Sequence, residues 1–209
     1  MRILLVAATD AEVPAAARLR ADVRILVTGV GMVATAAWCS RALMQEPYDL
    51  ALNVGVCGSF NPAHPPGTVV HVTADRIAEL GAQDGDAFLT VHDLKLLGED
   101  QAPFRGGLLV NRQPPAIPSL LALPAVTGIT VNTVHGDTAA IARVVERFNP
   151  DVETMEGAAF MYACLTHGVP FAQVRAVSNI VERRHRAAWK LPEAIQALSA
   201  VSAAILEQT

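Results

Sequence analysis

Four short segments carry the residue types that acid–base chemistry or sugar recognition needs. Ala8-Thr9-Asp10-Ala11-Glu12-Val13 follows an apolar run and ends near a carboxylate that could orient or deprotonate a water. An acidic residue in a first helical turn also complements the helix dipole, so Glu12 alone does not decide between the two roles. Thr28-Gly29-Val30-Gly31-Met32-Val33-Ala34 has the G-x-G-x-x-A spacing of a dinucleotide loop. It follows the second strand instead of the first, and the nearby acid, Asp49, precedes the third strand, so a tight strand-to-helix turn accounts for these glycines.

Asn53-Val54-Gly55-Val56-Cys57-Gly58-Ser59 reads as a buried strand running into a glycine-containing turn. Its backbone could approach a ligand or a neighbouring strand. Cys57 has no base beside it and is a poor candidate nucleophile. Glu153-Thr154-Met155-Glu156-Gly157-Ala158-Ala159 is followed, after one helix, by Arg175-Ala176-Val177-Ser178-Asn179. Glu156 and Asn179 both close apolar strands, where a polar side chain must be hydrogen-bonded internally or aimed at a ligand. Spacing alone does not choose between these.

Such residues need strands that end together. Short β-branched runs alternate with Ala-rich helical patterns, the signature of α/β packing about a largely buried sheet. Strands are predicted at 2–8, 24–28, 50–54, 69–72, 126–132, 151–155 and 171–178, and helices at 11–19, 32–45, 138–148, 157–167 and 192–207. Residues 61–67 and 98–113 read as loops. No internal repeat or linker divides the chain, so 1–209 reads as one domain.

Hydrophobic residues make up 52% of the 209 positions and charged residues 17%, which excludes disorder and suggests a buried subunit interface, hence a homo-oligomer. A net charge of −4 gives no footprint for nucleic acid or an anionic membrane, and the basic run Arg183-Arg184-His185-Arg186 also suits a solvated turn. The N-terminal apolar run meets Asp10 and Glu12 too soon for a signal peptide or a span, and reads as a first strand. Three cysteines without C-x-x-C spacing argue against disulfides and fit a reducing cytoplasm. Six scattered histidines show no metal-ligand spacing, and neither a metal nor a cofactor is expected.

Taken in order, Glu12, the Asn53–Ser59 segment, Met155-Glu156-Gly157, Arg175 and Ser178-Asn179 resemble the nucleosidase branch of the purine nucleoside phosphorylase superfamily. The resemblance covers nearly the whole chain. It implies a three-layer α/β/α domain with a central mixed, partly barrel-like sheet, acting on a purine nucleoside and water. It further implies that Glu156 binds the ribose hydroxyls, Met155 packs on the sugar, Glu12 holds the nucleophilic water, Arg175 supports the floor, and Asn179 contacts the base. With these go Gly55, Val56, Cys57, Val134, Thr138 and Ser178 as lining residues, and Phe160 or Trp189 as the ring that stacks on the base.

Adenine-releasing members have an aspartate where Asn179 stands. An amide can donate to N7 or a 6-oxo oxygen but supplies no proton, which favours a hypoxanthine-like base. Ser178-Asn179 and the segment through Trp189 look like the futalosine-hydrolysing members, whose substrate carries a carboxylate that Arg183, Arg184 or Arg186 could pair. The carboxylate of Glu12 would repel phosphate, so hydrolysis is expected instead of phosphorolysis. Rival expectations are release of adenine from methylthioadenosine or S-adenosylhomocysteine, and a non-catalytic nucleoside-binding protein.

Overall fold

The computed structural model describes residues 1–209. Ten strands run β1 Ile3–Ala7, β2 Val23–Val27, β3 Leu50–Ser59, β4 Val69–Asp75, β5 Gly81–Asp84, β6 Ala87–Thr90, β7 Leu109–Val110, β8 Ala125–Thr130, β9 Val152–Thr154 and β10 Phe171–Ile180. Five α-helices span α1 Met32–Gln45, α2 Pro118–Leu121, α3 Thr138–Phe148, α4 Gly157–His167 and α5 Leu191–Glu207. All seven predicted strands form, and α1, α3 and α4 have the predicted limits.

The main sheet follows the order β10-β4-β8-β9-β3-β1-β2, and β10 also pairs with β3. That second pairing closes β3, β10, β4, β8 and β9 into a five-stranded mixed barrel, from which β1 and β2 continue as a parallel wing. Val70, Val72, Val126, Val152 and Val177 pack with Cys57 as one cluster. The wing and β3 are sandwiched: α1 and α4 cover one face through Leu4, Val6, Ala51 and Phe160, while α5 covers the other through Ile3, Leu5, Leu52, Leu198 and Ile205. Alternate residues of β1 thus serve opposite layers, and every one of them is buried.

Two expectations are corrected. The helix predicted over 11–19 is two 3-10 turns, Asp10–Glu12 and Ala15–Leu19, because Pro14 lacks an N–H and holds Val13 extended before it. The turn predicted at Gly55 and Gly58 is continuous strand. The glycines there make room for side chains instead of bending the chain. The hairpin β5–β6 and the two-residue β7 were not foreseen; β7 lies inside the segment read as a loop.

Candidate functional site

β3 changes partners along one edge. Residues 50–53 pair with β1, whereas Gly58 and Ser59 pair with β9. Between them the N–H of Val56 has no strand to bond, and the Glu12 carboxylate takes it, with Oε1 3.1 Å from the amide nitrogen. The other oxygen accepts from the amide and hydroxyl of Thr9 at 2.8 and 2.9 Å. This capping box closes the first 3-10 turn and leaves Glu12 only 7% exposed. A Cβ on Gly55 would come within 3.0 Å of Glu12 Oε1 and collide with Arg175, so the bare backbone is what admits both side chains.

Arg175 is buried on β10. It donates through Nε to Gln173 Oε1 at 3.1 Å and through Nη2 to Asn53 Oδ1, and its Nη1 lies 3.8 Å from Glu156 Oε2. Glu156 Oε1 accepts the N–H of Gly31 at 3.0 Å. Gly31 has φ of 101°, a conformation that a side chain would strain, so the G-x-G segment is the anchor of Glu156 and not a dinucleotide loop. Behind Gln173 the chain of polar contacts continues to Asp75, which accepts from Gln173 Nε2 at 3.0 Å, Thr130 Oγ1 at 2.9 Å and Arg76 N at 2.8 Å. Burial raises the Asp75 carboxyl to about 6 despite these donors. A Cβ on Gly157 would collide with Gln173 and Asp75, which explains the glycine of the Met-Glu-Gly motif.

Asn179 lies past a register shift in the β10–β3 pairing, between Val177 and Asn179. The irregularity turns its amide out of the regular alternation, as bulges beside active sites commonly do. Its Nδ2 donates to Ile180 O at 3.0 Å and its Oδ1 accepts from Ser178 Oγ at 2.9 Å, so one amide N–H stays uncommitted. Across Gly58 stands Glu153, buried, whose carboxylate accepts from His135 N at 3.1 Å and His135 Nδ1 at 2.7 Å.

Glu12, just past β1, and Glu156, just past β9, therefore converge with Gly55 and Val56 of β3 and Arg175 of β10, where β3 passes from the parallel wing into the barrel, with Ser178 and Asn179 farther along the same β3–β10 pairing. Met155 is half-buried at the junction of β9 and α4. Val134 is half-buried against the Ile129 and Val144 cluster, and Thr138 is exposed as the first residue of α3. Two expectations fail on burial. Phe160 is fully enclosed, edge-on to Phe171 at 5.9 Å, and presents no face to a ligand. The Cys57 side chain is part of the apolar cluster in the barrel, with burial pushing its thiol up to about 12.

Residues 182–188 form an exposed strap over this end of the barrel. Arg184 N bonds Gly136 O at 3.2 Å, Lys190 N bonds Ser178 O at 2.8 Å, and the Arg184 guanidinium stacks over Trp189 at 5.6 Å. Asn53, Asp75, Gln173 and the Glu153–His135 pair were not foreseen as site residues. Asp75 ends a strand just as Glu156 does, but the strand predicted there stops at Val72.

The sequence profile of the Phosphorylase superfamily matches residues 15–208. The chain is 38% identical to the futalosine hydrolase of Streptomyces coelicolor over 188 residues, covering 84% of this chain and 74% of that one. It is 32% identical to the futalosine hydrolase of Thermus thermophilus, covering 83% and 76%. Among solved structures, it superposes on the 5′-methylthioadenosine/S-adenosylhomocysteine nucleosidase of Neisseria meningitidis with a TM-score of 0.79 at 15% identity, covering 100% and 99% of the two chains. The futalosine hydrolase of Helicobacter pylori gives 0.79 at 13% identity, covering 100% and 98%. The convergence of Glu12, Glu156 and Arg175 where β3 changes partners, with this profile match and these identities, establishes that the chain belongs to the phosphorylase superfamily and, within it, to the futalosine hydrolase family.

Proposed function

We propose that this protein hydrolyses the N-glycosidic bond of futalosine, releasing hypoxanthine and the dehypoxanthinyl sugar, as a step toward menaquinone. The observation that carries this reading is the position of Glu12, a carboxylate held by three donors beside the Glu156–Arg175 pair. Water adds to C1′ and gives a proton to Glu12, while the C1′–N9 bonding pair leaves with the purine. Positive charge grows on the sugar and negative charge on the base, so groups aimed at both ends lower the barrier. Glu156 grips the ribose hydroxyls, Arg175 keeps Glu156 in place, and Met155 packs on the sugar. The free amide N–H of Asn179 meets the base, with Ser178 fixing the amide's orientation.

The strap supplies Arg183, Arg184 and Arg186 near the carboxylate of the substrate, and Trp189, half-buried, is the ring available for stacking. Subunit association is supported by an apolar groove of about 400 Å³ between α1 and α4, lined by Met32, Val33, Ala36 and Tyr162, with Val33 82% exposed. No helix is long and apolar enough to cross a membrane, and the three buried free cysteines fit a reducing compartment, the cytoplasm.

The test is chromatography of free bases after incubation in phosphate-free buffer with futalosine, inosine or methylthioadenosine, each alone. Hypoxanthine from futalosine is expected. Adenine from methylthioadenosine would replace the base assignment, and no base from any of them would refute the hydrolytic reading.

A further inference from the structure

Two lines of contact lead from Glu156 to the same buried residue. Glu156 directly precedes α4, and threonines cap the first two amides of that helix: Gly157 N donates to Thr154 Oγ1 at 3.1 Å and Ala158 N to Thr130 Oγ1 at 2.7 Å. The Thr130 hydroxyl, having accepted from Ala158, donates its one proton to Asp75 Oδ1 at 2.9 Å. The first line thus joins Asp75 to the backbone that carries Glu156.

The second line runs to the carboxylate itself. Asp75 Oδ2 accepts from Gln173 Nε2 at 3.0 Å, and the same amide nitrogen also donates to Met161 Sδ at 3.4 Å. The Gln173 oxygen is left for Arg175 Nε at 3.1 Å, and Arg175 Nη1 lies 3.8 Å from Glu156 Oε2. A Gln173 amide turned the other way would face Asp75 with its oxygen and Arg175 with its N–H groups, like against like at each end. Asp75, Thr130 and Gln173 are wholly buried. The donors to Asp75 are a hydroxyl, a side-chain amide and the backbone N–H of Arg76, none of them a cation, so a carboxylate here is costly to bury. An asparagine would fill the same volume, but its single oxygen could serve only one of the two lines.

We propose that Asp75 is a positioning residue for Glu156, holding its backbone through Thr130 and its carboxylate through Gln173 and Arg175. This rests on the ribose-binding role given to Glu156 above and adds the group that keeps it in place without touching substrate.

The experiment is calorimetric titration of the intact enzyme with 9-deazainosine, whose base is carbon-linked to the sugar and is not cleaved, and with its 2′,3′-dideoxy counterpart. The affinity ratio of the two reads hydroxyl recognition alone. It is compared for the wild type, Asp75→Asn, Glu156→Gln and the double variant. The wild type should prefer the ribose compound, and Asp75→Asn should lower the ratio at least about tenfold. The double variant should stay within about threefold of Glu156→Gln, because the effect passes through Glu156. A purely structural role would weaken both compounds alike and leave the ratio unchanged, which would overturn the proposal, as would equal losses from Asp75→Asn with and without Glu156. Should Asp75→Asn fail to fold, Gln173→Met cuts the second line alone, and a ratio it leaves unchanged overturns the proposal. A wild type that prefers the ribose compound but leaves futalosine intact would sink the hydrolytic reading and spare this one. A wild type with no preference would overturn the ribose role of Glu156 and this proposal with it.

Discussion

Replacing Glu12 by Gln changes one atom and separates two effects that the geometry predicts together. The carboxylate accepts three hydrogen bonds, two from Thr9 and one from Val56. A Gln amide has one oxygen, so its best placement keeps the Thr9 pair and turns an NH₂ toward the Val56 N–H, donor against donor. Losing one charge-assisted hydrogen bond at a buried site costs about 1.5–3 kcal/mol. For a chain of this size that lowers the melting temperature by about 3–12 °C. The same substitution removes the base that takes the proton from water, an effect of about 10²–10⁴ on kcat, or about 2.7–5.4 kcal/mol in the barrier. KM should change little, because the bonds of Glu156 and Asn179 are untouched. The assay is steady-state release of base from futalosine well below the lowered melting temperature, beside thermal unfolding of both proteins. A kcat within threefold of the wild type would remove Glu12 from proton transfer, and an unchanged melting temperature would refute the hydrogen-bond count at Val56.

Other outcomes follow from the polar interior and the thiols. Gly157→Ala, although alanine favours helix, should destabilise by about 1–3 kcal/mol in urea unfolding, because its methyl meets Gln173 and Asp75. Asp75, raised to about 6, gives stability that is full below about pH 4 and is lost as pH rises through 6. His71, buried without a partner for Nε2 and lowered to about 4, does the opposite: its contribution is present above about pH 6.5 and is lost as pH falls through 4. Urea midpoints should therefore vary little over pH 4–6.5 through these two groups, whereas Asp75→Asn should become less stable, relative to the wild type, as pH falls across that window. A difference independent of pH would refute the assignment. Cys39 and Cys57, both pushed up to about 12 by burial, should resist a thiol reagent at pH 8 until the chain is unfolded.

The sequence was most legible where periodicity and punctuation agree. Helix α3 begins at an Asp137 cap and ends at Asn149 with φ of 43°, and α4 ends at Gly168 with φ of 67°, so both limits were readable from local chemistry. Glu12, Glu156 and Asn179 could be singled out because each is polar at the end of an apolar strand. Pro14 should have broken the first predicted helix, and its residue type alone carried that information. What could not be read was register. Gly55 and Gly58 look like turn residues in sequence, and only the arrival of Arg175 from β10 at Gly55 and of Val181, just past β10, at Gly58 explains why they lie in a straight strand. The exposed hairpin β5–β6 escaped for another reason: it has the Asp84-Gly85 turn signal but little apolar alternation beside it.

The partner change along β3 has a consequence for exchange with solvent. An amide proton in the middle of a paired strand is normally protected by its neighbour's carbonyl, and its exchange reports the opening of the sheet. The Val56 amide is protected by a side chain instead, so its exchange reports the rotation of Glu12. One backbone proton, followed by NMR in heavy water, therefore serves as a clock for how long the carboxylate stays in position, and it can be read in the resting enzyme without any turnover.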